Sequence, residues 1–400
     1  MIRRALLTVL LCCSMLAVHA ASPALPAPAV TSAASVPVVI GESRELDSTV
    51  LDEQRRYSVA LPPGYAWSPG RRYPVLLVLD AERHFAHATT TARFLAANGE
   101  MPDTIVVGLD STNRLRDFTQ TDWAEAWVGG GGADRFARFL TTELLPAIER
   151  DYRTDDFRTV VGHSASGQFA LHLLATRPDT FRAYLVNSPS LDWDDRLPRR
   201  ELAEAFARTA SLPAFVYVAR SDDRGPALAD AHALFATLEQ GPRGLRAVGR
   251  DFPGETHAGI PLVALVDGLR TLYRGYRFDI DLPGASLADA ERQYAQVSES
   301  LGWPTAVPEP VVQSLAYVAM NAGRHDEAIA LFARNVERHP RSAGAHAALA
   351  DGYAEARRWR EALASATRAA ALAAEQGHPD RANFYAQVAR HRAELATPRR

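Results

Sequence analysis

The chain opens into a region where short apolar runs alternate with amphipathic segments, and ends in a region where only helical periodicity remains. Residues 73–80 (YPVLLVLD) are apolar almost without interruption, as a strand buried on both faces of a parallel sheet requires. Residues 56–61 alternate, and further runs lie at 104–109, 159–163, 183–187, 214–219 and, more weakly, 245–252. Helix-length segments separate them. In 133–149, Phe136, Phe139, Leu140, Leu144 and Ile148 fall on one face; 168–175 and 227–238 behave alike. Strands and helices alternating in this way predict a doubly wound, mostly parallel α/β sheet.

Near Gly275 the strands stop and alanine rises. The segment from about Glu309 to Pro340 matches the one from about Ala343 to Ala374, with Ala328 and Ala362, and Leu315 and Leu349, each 34 residues apart. That is the period of tetratricopeptide helix pairs, in which a small residue lets two helices cross closely. Two repeats cannot stand alone. They are expected to pack on the α/β part through a helix at 287–301, with 384–395 as a cap. The expected organisation is a signal peptide (1–20), a linker (21–36), an α/β catalytic domain (37–280) and a small all-α tetratricopeptide-like domain (285–396).

The leader rests on Arg3 and Arg4, an apolar stretch at 5–17, and Val18-His19-Ala20 before a cleavage point at Ala21. A lipid anchor at Cys12 or Cys13 is disfavoured because Leu11 stands where a small residue is needed. Cys12 and Cys13 are the only cysteines, so the mature chain is expected to have no disulfide, thiolate metal site or cysteine nucleophile. The chain has no lysine and a net charge of −3, with arginine scattered among acids; nothing suggests nucleic acid. Beyond the leader no apolar run is long enough for a membrane anchor, and no metal or cofactor is expected. The compartment implied is periplasmic or extracellular.

Gly162-His163-Ser164-Ala165-Ser166-Gly167 follows an apolar strand and opens an apolar helix, the setting of a nucleophile elbow. Ser164 is the expected nucleophile, with small neighbours allowing the strained turn. Ser166 stands where a glycine is usual. The Ala165 N–H supplies one oxyanion donor, and the loop after residue 80 supplies the second, near Ala81. A serine hydroxyl needs a base. His257 lies on the turn-rich loop Pro253-Gly254-Glu255-Thr256-His257-Ala258-Gly259, in the chain order Ser, acid, His. The acid is expected after the strand at 214–219, at Asp222 or alternatively Asp223, with Asp251 or a dyad as remaining options. Asp80 and Glu82 are readable as caps of the next helix.

These residues, together with Arg116-Asp117-Phe118-Thr119, Gly131-Gly132-Ala133-Asp134-Arg135-Phe136 and Asn187-Ser188-Pro189-Ser190-Leu191-Asp192-Trp193-Asp194, carry a likeness. The chain resembles the putative-esterase family of α/β-hydrolases that includes enterochelin esterases and esterase-D-like enzymes, most closely its bacterial members with C-terminal tetratricopeptide repeats. The resemblance implies hydrolysis of a small-molecule ester through an acyl-enzyme on Ser164, with His257 as base. Trp193 and Arg116 are candidates to line the substrate pocket; rim packing and an ion pair between Arg116 and Asp117 are the alternatives. Acyl transfer by the same intermediate, or a catalytically inert module docking a protein partner through the repeats, are the competing functions.

Overall fold

The apolar runs all become strands of one sheet, β2 (Glu53–Ala60), β3 (Tyr73–Leu79), β4 (Ile105–Leu109), β5 (Thr154–His163), β6 (Ala183–Asn187), β7 (Phe215–Arg220) and β8 (Arg246–Asp251), and an exposed strand that no run marks, β1 (Glu42–Ser48), joins its edge. The computed structural model describes residues 35–126, 129–222 and 224–397. The expected signal peptide, most of the linker, both cysteines and Asp223 lie outside the described residues. The strand order is β1-β2-β4-β3-β5-β6-β7-β8. β1 pairs antiparallel with β2, and β2 with β4; the remaining pairs are parallel. After β3 the chain moves to one side of the sheet for β4 and to the other for β5. The carboxyl ends of β3 and β5 therefore flank the topological switch point, where open α/β sheets place their ligands.

Helices α1 (Ala81–Ala97), α2 (Arg114–Phe118), α3 (Ala133–Phe139), α4 (Leu145–Asp151), α5 (Ala165–Thr176), α6 (Trp193–Arg208), α7 (Pro226–Glu239) and α8 (Ile260–Leu272) cover the two faces. The helix expected at 133–149 is α3 and α4 joined by a π turn at Leu140–Leu144. Pro146, in the first turn of α4, has no amide to donate to the turn before it. On one face Phe118, Phe136 and Phe169 meet at ring distances of 5.1–5.5 Å. On the other, α1 and α8 pack over Leu76, Val78, Leu185 and Tyr217.

That second core continues into the helical region without a break. Tyr294 and Val297 of α9 (Leu287–Leu301) share it with Phe157, Tyr273 and Tyr276. Trp303 stacks on Phe157 at 5.1 Å and donates from Nε1 to Asp155 Oδ1 at 2.6 Å. Trp67, on the loop before β3, meets His378 at 5.2 Å. Arg246 bonds to Ser300. Each contact lies where parallel strands begin, so the helices seal the end of the sheet opposite the switch point.

Beyond α9, α10 (Glu309–Asn321) pairs with α11 (His325–Arg338), and α12 (Ala343–Glu355) with α13 (Trp359–Glu375); α14 (Arg381–Ala396) follows. Ala328 and Ala362 are both fully buried. The Arg324–Glu327 ion pair recurs one period later as Arg358–Glu361. A Cβ on Gly352 would lie 2.8 Å from the Phe332 ring, which shows how closely neighbouring pairs approach.

The junction carries a testable bond. The buried Tyr294 hydroxyl donates to the Tyr276 carbonyl at 2.6 Å. Tyr294→Phe leaves that carbonyl unsatisfied and is expected to cost about 1–3 kcal/mol. Urea unfolding should show a lower midpoint in a single transition, with α/β and helical signals lost together.

Candidate active site

Three residues where β5 turns into α5 are dictated by backbone geometry. Ser164 sits at φ 60° and ψ −120°, a conformation that ordinary L-residues avoid. A Cβ on Gly162 would fall 2.2 Å from the Ser166 carbonyl oxygen, so only glycine fits there. A Cβ on Gly167 would stand 3.2 Å from the backbone of Pro189, a close helix–loop approach. The turn thus lifts Ser164 from the carboxyl end of β5 onto the start of α5. Its amide donates to the Asn187 carbonyl at 3.0 Å, and its Oγ lies 3.4 Å from Ser190 Oγ.

The turn is held from below by a network that sequence reasoning missed. Ser166, fully buried, donates to Asp80 Oδ2 at 2.6 Å and accepts the His163 amide at 2.8 Å. Asp80 also receives Ser111 Oγ at 2.5 Å and both Nε and a terminal nitrogen of Arg114, at 2.9 and 3.0 Å. Arg114 reaches on to the His163 carbonyl at 2.8 Å. Burial alone would raise the Asp80 carboxyl, but Arg114, Ser111 and Ser166 together outweigh it and hold it below the ordinary carboxylate value. The departure from glycine at position 166 is therefore a hydroxyl that ties the elbow to the end of β3. Asp80 does not cap α1 through its side chain, which is committed to this network. Glu82 accepts the Ser111 amide.

Asp80 itself is left-handed, at φ 54°, and turns the chain so that Ala81 opens α1 beside the start of α5. Among the described residues, neither the Ala81 nor the Ala165 N–H donates to a protein acceptor. Both sit in the first turn of a helix, where such amides point outward and the dipole favours negative charge.

His257 lies on the exposed loop after β8. Its carbonyl accepts from His163 Nε2 at 2.7 Å, and the two rings stand 4.6 Å apart. The acid loop meets this loop through the Asp222 amide, which donates to the Glu255 carbonyl at 2.9 Å. The Asp222 carboxylate, half exposed, lies 3.6 Å from Arg224. Among the described residues no hydrogen bond joins the His257 ring to Ser164 or to a carboxylate. Apo sites often tighten such bonds only when substrate arrives.

The Arg116 guanidinium is occupied by Glu53, at 2.7 and 3.1 Å, and by Asp117 at 2.7 Å. Asp117 also takes the fully buried Arg55, which lies over the Phe136 ring. The Arg116-Asp117-Phe118-Thr119 stretch is thus a structural anchor. Trp193 is buried, donates from Nε1 to Thr121 Oγ1 at 3.2 Å and meets Trp123 edge-on at 5.3 Å. After it, Asp194, Asp195 and Arg196 are left-handed in succession. They are held by Thr121 on Asp194, Arg200 on the carbonyls of Asp194 and Asp195, and Arg196 on Asp230.

Known proteins are similar to this chain. A family model described as "Putative esterase" matches residues 48–224. The chain is 30% identical over 252 residues to the ferri-bacillibactin esterase BesA of Bacillus subtilis (strain 168), covering 55% of this chain and 85% of that one. It is 32% identical over 167 residues to a siderophore triacetylfusarinine C esterase of Aspergillus fumigatus, covering 39% of this chain and 54% of that one. A solved IroE-like serine hydrolase from Shewanella oneidensis is similar at a TM-score of 0.63 and 30% identity, over 71% of this chain and 95% of its own. On these grounds the chain belongs to the putative-esterase family of α/β-hydrolases, and it is a carboxylic-ester hydrolase.

Proposed function

We propose that the chain cleaves the ester bonds of a siderophore through an acyl-enzyme on Ser164. The observation that carries the nucleophile is its forced backbone: φ 60° and ψ −120° at the carboxyl end of β5, strain of the kind that persists where the surroundings over-determine it. In this reading His257 takes the Ser164 proton, and Asp222 or Asp223 orients the imidazole. The amides of Ala81 and Ala165 receive the charge that develops on the carbonyl oxygen. The siderophore part is supported by the similarity to two siderophore esterases. The leader at residues 1–20 supports export, so that the mature chain meets its substrate outside the cytoplasm. The mass of the exported chain, expected to begin at Ala21, tests that point.

The substrate is tested with a cyclic triester of a catechol-bearing hydroxy acid, free and iron-loaded, against p-nitrophenyl butyrate. Contacts remote from the scissile bond lower the barrier only for the substrate that makes them. We expect kcat/KM for the triester to exceed that for the nitrophenyl ester by about 100-fold or more. Turnover of the nitrophenyl ester with none of the triester would reject the siderophore assignment. Trapping of the acyl group by added alcohol in preference to water would identify a transferase.

A further inference from the structure

Four histidines stand in a row from α1 to the loop that carries His257. His87 Nε2 and His84 Nδ1 are 3.0 Å apart on α1. The His84 ring meets His163 edge-on at 5.8 Å, and His163 meets His257 at 4.6 Å. Among the described residues no group of three or more His, Cys, Asp or Glu side chains is arranged to hold a metal ion. The chemistry of the row lies in its last link. His163 Nε2 is 2.7 Å from the His257 carbonyl oxygen, and a carbonyl can only accept, so Nε2 carries the proton.

His163 is fixed before it reaches that loop. Its amide donates to Ser166 Oγ and its carbonyl receives Arg114, so its backbone belongs to the elbow itself. The His257 loop has weaker moorings: it is exposed, turns at Gly254 with φ 86°, and is bonded to the acid loop through Glu255. Residue 163 therefore provides a direct link between the segment bearing the nucleophile and the segment bearing the base. We propose that His163 is a positioning residue, whose Nε2–H holds the His257 backbone so that the His257 ring keeps its register against Ser164. The inference rests on the reading of Ser164 as nucleophile and His257 as base.

The environment keeps this donor neutral. Burial, with smaller contributions from His257, His84 and Arg114, depresses the His163 pKa to about 4, against a partial opposing effect of the bond to the His257 carbonyl. Burial first, then His87, depresses His84 to about 4 as well, with Asp80 opposing.

The test compares two substitutions of nearly equal length. Glutamine can offer a side-chain N–H to the same carbonyl, whereas methionine cannot. In His163→Met, kcat for p-nitrophenyl butyrate is expected to fall about 10- to 100-fold, the scale of a small misplacement of a catalytic group, with KM within about twofold of wild type. His163→Gln should recover most of that loss. A His163→Met protein with wild-type kcat, or a His163→Gln protein no better than it, overturns the proposal. Should His163→Met fail to fold, His163→Gln decides alone: kcat within about threefold of wild type is expected, and a fall to a tenth or less overturns the role. His257→Ala separates the two claims. If it retains the wild-type rate, the base assignment fails and the positioning role with it. If it is inactive while His163→Met is unimpaired, only the positioning role fails.

Discussion

Ser164→Ala is expected to lower kcat for ester hydrolysis by about 10⁶-fold, the scale seen when the nucleophile of a serine hydrolase is removed. His257→Ala should fall in the same range, and the double substitution should cost little more, because the two act as one unit. Alanine keeps the Cβ, so the backbone at φ 60° remains as strained as before. Ser164→Gly relaxes it. That variant should be equally inactive yet more stable than Ser164→Ala by about 1–2 kcal/mol, because glycine adopts positive φ without penalty. Thermal unfolding of the two inactive proteins, compared with each other, measures the strain. Equal melting points would remove the argument that the elbow is held against its own preference.

The largest loss of stability is expected at Asp80. Its carboxylate, 1% exposed, is shared by Arg114, Ser111 and Ser166. Asp80→Ala strands the guanidinium and two hydroxyls beneath the elbow, at an expected cost of about 3–5 kcal/mol. Hydrolysis should fall in the folded fraction too, since Ser166 and His163 lose their support. In the wild type the carboxyl binds its proton less readily folded than unfolded. Its contribution is therefore complete above the ordinary carboxylate value and is lost as pH falls through the lower folded value. Asp80→Asn should lack that acid-side loss. Urea midpoints of both proteins, taken in steps below pH 5, test the sign. A wild type that loses no more stability than Asp80→Asn over that range would contradict it.

What the sequence made legible was local. The run at β3 and the elbow at the end of β5 could be read because each depends on neighbouring residues: an unbroken apolar stretch, or small residues around one serine. β1 could not. Its residues (ESRELDS) are mostly exposed on the sheet edge, so no hydrophobic alternation marks them. The Asp80–Ser166 bond spans 86 positions and involves two residue types common at helix starts, so nothing along the chain distinguishes it from capping. Arg116 presented the same ambiguity, because a pocket cation and an ion-pair partner look alike along the chain, and its pairing with Glu53 of β2 shows only in the fold. The left-handed residues at 194–196 include no glycine to announce them, and only Thr121, Arg200 and Asp230 reveal how they are held. Asp222 and Asp223 look alike in the sequence for a similar reason: side-chain direction leaves no trace in composition.

The helical pairs meet the sheet where its parallel strands begin, and the candidate nucleophile rises where they end. The helical pairs and the candidate nucleophile thus lie at opposite ends of the sheet. A surface or partner that gripped α10 to α14 would hold the molecule by its back and leave the candidate ester site turned outward, open to solution. The same polarity has a practical use. Immobilisation through the carboxyl terminus should preserve turnover of large substrates as fully as of small ones, whereas attachment near the start of α1 should discriminate against the large ones.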